Sequence, residues 1–192
     1  WHKPGFTHLK VKMGNDLSSE TAQLLSLAFA APLLWRIDLN GKVSAEEFTR
    51  WWSALGDDVK AKIDFIEDPT SGEALKFDGP WANDWQNQPR AQIRVLKPAR
   101  EPLGDLALYD RVIFTHSMDH PFGQACAAWT AARFYAAHPK KLEVCGLLSS
   151  GLYEKEEFSR EWSNEGPRMK PTGGTGFGFD ELLEGLKWEK IL

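Results

Sequence analysis

The sequence lacks the features that mark secreted, membrane-spanning and nucleic-acid-binding proteins. Its two cysteines, Cys126 and Cys145, lie in apolar surroundings without metal-ligand spacing, so we expect buried thiols of a reducing compartment, the cytoplasm. No run of about 18 apolar residues predicts a membrane span, and no signal peptide is visible. The net charge of −4 indicates no surface for nucleic acid or an anionic membrane. We therefore expect neither as a partner.

The chain has enough apolar residues for one sizeable core, because 42% of its 192 residues are hydrophobic. Strand-like apolar runs alternate with helical patterns, and this alternation predicts βα units and a parallel sheet. Seven such runs occur, at 7–12, 33–39, 62–68, 80–84, 92–98, 111–117 and 142–148. One helix between them, over 44–55, begins with the capping box Ser44-x-x-Glu47.

Seven strands fit a closed eight-stranded α/β barrel (TIM-barrel-like) without its first strand better than an open sheet, although an open sheet stays possible. We predict a single catalytic domain over 1–192. The chain begins with tryptophan, and its first strand follows almost at once, so we expect that a segment upstream of it is absent. A Gly/Pro-rich loop is predicted over 166–178.

Charged residues interrupt or end five of the apolar runs, where an unpaired charge is costly. In chain order they are Lys10, Lys12, Asp38, Glu67, Asp84 and Lys97. In α/β barrels the catalytic groups lie at the carboxyl ends of the strands, around one shared mouth. We therefore expect these side chains to form one site.

Three converging carboxylates form an oxygen-rich site for a hard divalent cation, and we predict Mg²⁺, with Mn²⁺ as a possible substitute. Such a cation can hold a substrate carboxylate and stabilise the charge that develops when the adjacent carbon loses a proton. Lys12 and Lys97 could flank that carbon. Lys10 could lower the pKa of Lys12, which would make Lys12 a general base, and could also help to bind the carboxylate.

Five motifs in this order resemble the barrel domain of the enolase superfamily, muconate-lactonizing enzyme subgroup. They are K-V-K (10–12), R-I-D-L-N (36–40), F-I-E-D-P (65–69), N-D (83–84) and V-L-K-P (95–98). Within the subgroup, the segments resemble the o-succinylbenzoate synthase family most, including FTHSMDHPFGQACA. The resemblance implies that Asp38, Glu67 and Asp84 bind Mg²⁺, that Lys12 abstracts a proton and that Lys97 stabilises an enediolate as a cation.

The reaction implied by this resemblance is the dehydration of 2-succinyl-6-hydroxy-2,4-cyclohexadiene-1-carboxylate to o-succinylbenzoate in menaquinone biosynthesis. Other candidates for substrate contacts are Arg36, which could also be a structural ion-pair partner, Asn40 and Ser117. A dipeptide epimerase or N-acylamino acid racemase of the same subgroup is an alternative function. A non-catalytic barrel that binds only a metal or a partner is an alternative of another class.

The sequence departs from the family pattern in three respects. Asp84 lies only 17 positions after Glu67, and Lys97 only 13 positions after Asp84, spacings that are too short for ordinary helices. Asp84 is therefore the least certain ligand, and Asp78 competes with it. Only Gly104 follows the V-L-K-P motif closely, where the family usually has two glycines. Members of the family also carry an N-terminal α+β capping domain, which is not in this sequence. The resemblance implies that this domain is the partner of the barrel and closes the site over a small-molecule carboxylate substrate.

Overall fold

The structure is a computed structural model that describes residues 5–28, 32–71, 75, 77–84, 91–148, 154 and 156–189. Its strands are β1 His8–Lys12, β2 Leu34–Asp38, β3 Ile63–Glu67, β4 Trp81–Asn83, β5 Ile93–Leu96, β6 Arg111–Phe114, β7 Ser163–Glu165 and β8 Arg168–Lys170. Its helices are α1 Leu17–Ala28, α2 Ala45–Ala54, α3 Asp57–Lys60, α4 Pro121–Ala137, α5 Glu157–Glu161 and α6 Asp180–Gly185. Two short 3₁₀ turns cover Leu106–Leu108 and Pro139–Lys141.

The first six strands form one sheet in chain order, from β1 to β6. The pairs β1–β2, β2–β3, β3–β4 and β4–β5 are parallel, as βα units require. Parallel neighbours place all their carboxyl ends at the same edge, which is the edge where the charged residues were predicted. The described residues between β3 and β4, and between β4 and β5, contain no helix, in agreement with the short spacings there.

The main core packs helices against the first strands of this sheet. Ser44 begins α2 by accepting a hydrogen bond from the backbone N–H of Glu47 at 3.2 Å, half of the predicted capping box. The helix then buries Phe48 and Trp52, whose rings stack with centroids 6.4 Å apart. Both belong to the apolar cluster that includes Trp35, Ile37 and Leu39 around β2. This packing holds the carboxyl end of β2 in place.

The contacts divide the chain into two compact units. The first comprises Trp1–Val95 and Asp105–Ile113, and the second Leu96–Gly104 and Phe114–Leu192. The second unit has its own apolar cluster, in which Ala125, Trp162 and Phe179 are buried. The prediction of a single catalytic domain over 1–192 stays a prediction.

Two elements differ from the sequence prediction. The run 142–148 forms only one bridge, between Gly146 and Thr115, and not a seventh strand. Leu142 and Val144 are 70% and 48% exposed, so these alternate side chains cover no apolar layer, and such a layer is what stabilises a buried strand. The predicted loop over 166–178 is also wrong in its first part, because β8 pairs there with β7 as an antiparallel hairpin.

The expectation of buried thiols is met only in part. Both cysteines are free but only partly buried, which is less burial than the sequence predicts. Among the residues that the structure describes, no helix is both long and apolar enough to cross a bilayer.

Candidate active site

A single register row across the sheet brings the predicted site residues of β1, β2 and β3 together. Lys12 lies opposite Asp38, and Asp38 lies opposite Glu67, each as the last residue of its strand. Neighbours in one row of a parallel sheet point to the same face. The next residue in the row is Ala82 of β4, two positions before Asp84. The parallel register therefore places the charges of three separate strands side by side.

Lys10 connects the two acids of this row. Its Nζ lies 2.9 Å from Oδ2 of Asp38 and 2.8 Å from both carboxylate oxygens of Glu67. Burial alone would lower the pKa of Lys10, but the charges and hydrogen bonds of Glu67 and Asp38 outweigh burial and raise its pKa. Lys10 is therefore a stable ammonium group. The carboxylates of Asp38 and Glu67 also compensate the repulsion between the like charges of Lys10 and Lys12.

Lys12 lies at the solvent side of the same group. Its Nζ is 3.4 Å from Oδ2 of Asp38 and 3.3 Å from Oδ1 of Asn40, and its side chain is 67% exposed. Asn40 has a φ of 50°, in the left-handed region that asparagine tolerates, and its backbone N–H donates to Oδ1 of Asp38 at 3.0 Å. Asn40 thus contacts both the predicted base and a predicted metal ligand.

The environment keeps Asp38 ionised. Burial by itself raises the pKa of Asp38, but the charge and hydrogen bond of Lys10, the charge of Lys12 and the N–H of Asn40 together lower it below its usual value. The side chains of Asp38 and Glu67 are only 5% and 2% exposed. The ammonium group of Lys10 therefore compensates the charges of two almost fully buried carboxylates.

A second grouping of acids extends from Glu67. Glu67, Asp68 and Asp84 each present a carboxylate oxygen within 4.8 Å of the others. Oxygen donors at such separations suit a hard divalent cation, so this set fits the predicted metal, although it contains Asp68 and not the predicted ligand Asp38. Asp68 has a φ of 44°, and its Oδ1 accepts a hydrogen bond from the backbone N–H of Asp84 at 3.3 Å. This hydrogen bond joins the residue that follows β3 to the residue that follows β4.

Asp68 was not predicted to be a ligand, and the motif F-I-E-D-P alone gave no reason to choose it over Glu67. The competitor Asp78 lies elsewhere, since its Oδ1 accepts a hydrogen bond from Nε1 of Trp52 at 2.9 Å. That bond lowers the pKa of Asp78. The geometry therefore favours Asp84 over Asp78 as the third predicted ligand.

Arg36 belongs to a separate, buried ion-pair cluster. Its Nε lies 2.7 Å from Oδ2 of Asp64, and its guanidinium lies 5.0 Å from the ring centre of Phe65. Arg111 contacts the other oxygen of Asp64 at 2.8 Å, and Nε2 of His8 lies 3.5 Å from Oδ2. The structural role considered for Arg36 is thus present, whereas its contact with substrate stays a prediction.

Lys97 and Ser117 belong to the second unit. Lys97 opens the turn after β5, where its backbone N–H donates to Oε1 of Glu101 at 2.9 Å and its carbonyl accepts from the N–H of Arg100 at 2.9 Å. The backbone N–H of Ser117 donates to Oδ2 of Asp119 at 3.0 Å. The predicted roles of Lys97 and Ser117 toward a substrate remain predictions.

The chain is similar to a named enzyme and to several solved structures. No family model matches the chain. The chain is 31% identical over 207 aligned positions to the o-succinylbenzoate synthase of Bdellovibrio bacteriovorus, an alignment that covers 97% of this chain and 62% of that protein. The predicted resemblance to o-succinylbenzoate synthase is confirmed.

Solved structures show the same fold. A variant of muconate cycloisomerase superposes with a TM-score of 0.51 at 18% identity, over 64% of this chain and 42% of that one. A Bordetella bronchiseptica RB50 protein assigned as a mandelate racemase superposes with a TM-score of 0.56 at 14% identity, over 98% of this chain and 58% of that one. The fold is therefore α/β and TIM-barrel-like. The chain spans about 62% of the length of its curated relative.

Proposed function

We propose that this chain carries the catalytic site of a divalent-metal-dependent lyase that removes a proton next to a carboxylate and eliminates water. The observation that carries the proposal is the row of Lys12, Asp38 and Glu67 at the carboxyl ends of neighbouring parallel strands. A lysine beside buried acids combines a proton acceptor with a site for a cation. The similarity to a named o-succinylbenzoate synthase supports the specific reaction, which forms o-succinylbenzoate in menaquinone biosynthesis.

We propose Asp38, Glu67 and Asp84 as the residues that would hold the metal. Asp68 is a further candidate, because it groups with Glu67 and Asp84. We propose Mg²⁺, which prefers carboxylate oxygens, with Mn²⁺ able to replace it. When bound, the cation would supply positive charge beside the substrate carboxylate, where negative charge accumulates as the adjacent carbon loses its proton. The substrate carboxylate is the small-molecule partner in this proposal.

Lys12 would act as the base. Its amine, as the neutral form, accepts the proton from the carbon that bears the carboxylate, and the electron pair left there forms the new ring double bond as the C6–O bond breaks. The departing hydroxide takes the proton back from Lys12 and leaves as water, so one lysine on one face suffices. Asn40 would orient Lys12 through the contact at 3.3 Å. Lys97 would stay protonated as a cation.

The reaction can be tested with the purified whole protein, Mg²⁺ and the cyclohexadiene acid. We expect an aromatic product, o-succinylbenzoate, which is detected by its ultraviolet absorbance and by mass. Parallel incubations in D₂O with dipeptides and N-acylamino acids should show little α-deuteration with inversion, because inversion requires Lys97 to exchange a proton from the opposite face and its proposed role is that of a fixed cation.

The same assay identifies the competing functions. Rapid α-deuteration with inversion and no aromatic product would assign the protein to the epimerases or racemases of the subgroup. No turnover of any substrate in the presence of saturating Mg²⁺ would favour a non-catalytic barrel.

A further inference from the structure

Lys10 contacts two predicted metal ligands, a role that was not expected of it from the sequence. Its ammonium group lies within hydrogen-bonding distance of three oxygens of Asp38 and Glu67, at 2.8–2.9 Å. The two acids are almost fully buried, whereas the lysine side chain is 41% exposed and so can move toward solvent. Buried carboxylates need a compensating charge, and in this structure one lysine supplies it to both.

We propose that Lys10 is an internal counter-cation that holds Asp38 and Glu67 together and competes with the divalent metal for them. The proposal rests on the proposed function, since these two acids are two of its three ligands. A carboxylate whose two oxygens both accept hydrogen bonds from an ammonium group has less negative potential to offer a second cation. A divalent ion must therefore displace the ammonium of Lys10 or bind beside it against repulsion.

Lys12 is the natural comparison, because it lies two residues further along the same strand. Its Nζ approaches Asp38 only to 3.4 Å, and its side chain is 67% exposed, so solvent screens its charge more strongly. Lys42 provides a second comparison. Its side chain donates to Oδ1 of Asn15, an uncharged amide, at 3.4 Å, so its removal changes the net charge without touching the acids.

The experiment measures Mn²⁺ affinity of the whole protein without substrate, from the electron paramagnetic resonance signal of free Mn²⁺. Lys10→Met, which keeps a similar shape and removes the charge, should lower the dissociation constant about tenfold or more. Lys10→Arg, which keeps the charge, should stay within about threefold of the parent protein. Lys12→Met should have a smaller effect than Lys10→Met, and Lys42→Met should have almost none.

A second measurement separates competition from a purely structural role. Without metal, Lys10→Met should unfold at a lower temperature than the parent protein, and saturating Mn²⁺ should raise its melting temperature by more than it raises that of the parent. If the variant does not fold without metal, Mn²⁺ should restore its circular dichroism spectrum. Lack of recovery would contradict the proposal.

The outcomes distinguish this inference from the function on which it depends. Mn²⁺ binding by the parent protein with equal or weaker binding by Lys10→Met would overturn the role of Lys10 and leave the metal site intact. An equal gain in Lys42→Met would also overturn it, because net charge alone would then explain the effect. Absence of Mn²⁺ binding in the parent protein would refute the metal site itself, and the counter-cation role with it.

Discussion

Replacement of Asp64 tests whether the buried ion-pair cluster stabilises the fold. Asp64 is 8% exposed and accepts hydrogen bonds from Arg36 at 2.7 Å and Arg111 at 2.8 Å, and Arg36 itself is only 6% exposed. Asp64→Ala removes the carboxylate that faces both guanidinium groups. Removing one partner of a buried pair typically costs about 3–5 kcal/mol of stability. Arg111 is 30% exposed and can regain water, so we expect a loss near the lower limit, about 3 kcal/mol.

Urea unfolding followed by tryptophan fluorescence provides the assay. With a slope of about 2 kcal/mol per molar urea for a domain of this size, a loss of about 3 kcal/mol moves the midpoint down by about 1.5 M. The matched control is Glu46→Ala, which removes an exposed pair between Glu46 and Arg50 on α2, at 2.8 Å with side chains 85% and 72% exposed. We expect a change of about 0.5 kcal/mol or less for that pair. Equal midpoints for the two variants would refute the reasoning.

The pH dependence of the same variant follows from the pKa of Asp64. Burial by itself raises this pKa, but the hydrogen bonds and charges of Arg36 and Arg111 outweigh burial and lower it below its usual value. The ionised group therefore contributes stability that is fully present above the unfolded pKa, about 3.9, and is lost as the pH falls through the lower folded pKa. The stability difference between the parent and Asp64→Ala should thus be constant near neutral pH and shrink below about pH 4.

Three further predictions concern the site and its surroundings. Lys12→Ala should lower kcat by about 10²–10⁴-fold with an unchanged circular dichroism spectrum, and Lys97→Ala should also be severe; near-normal turnover in either would contradict its role. Asp84→Asn should weaken Mg²⁺ binding in calorimetry far more than Asp78→Asn, and the reverse order would exchange their assignments. Burial lowers the pKa of His116, and the charge of Asp119 opposes this shift only in part. Protonation of His116 therefore destabilises the folded state, so the fold loses stability as the pH falls below about 6.5. His116→Asn should flatten that decline in pH-dependent urea unfolding, and an unchanged slope would exclude His116 as its source.

The positions of the strands and of their terminal charges follow from local sequence. Apolar runs predicted β1 to β6, and lysine, aspartate or glutamate interrupts or ends five of them. The spacing predicted the absence of ordinary helices beside β4. These features depend on hydrophobic periodicity and chain length, which any reader of the sequence can measure. The order of the five motifs also sufficed for the resemblance to the enolase superfamily.

The partners of each charge were decided only by the tertiary structure. The two-residue period of a strand predicts that Lys10 and Lys12 share one face of β1, but only the tertiary structure shows that Lys10 contacts both Asp38 and Glu67. The choice of Asp64 as the partner of Arg36 depends in the same way on which residues of β2 and β3 become neighbours.

Tertiary contacts also determined what local patterns left undecided at two other places. Asp68 joins the acids because a turn with positive φ brings it back toward Asp84. The run 142–148 has the composition of a strand, yet within the described part of the chain it forms one β-bridge, between Gly146 and Thr115. A strand needs a neighbour with free backbone groups and an apolar layer that covers its side chains. The sequence of the strand itself determines neither of these.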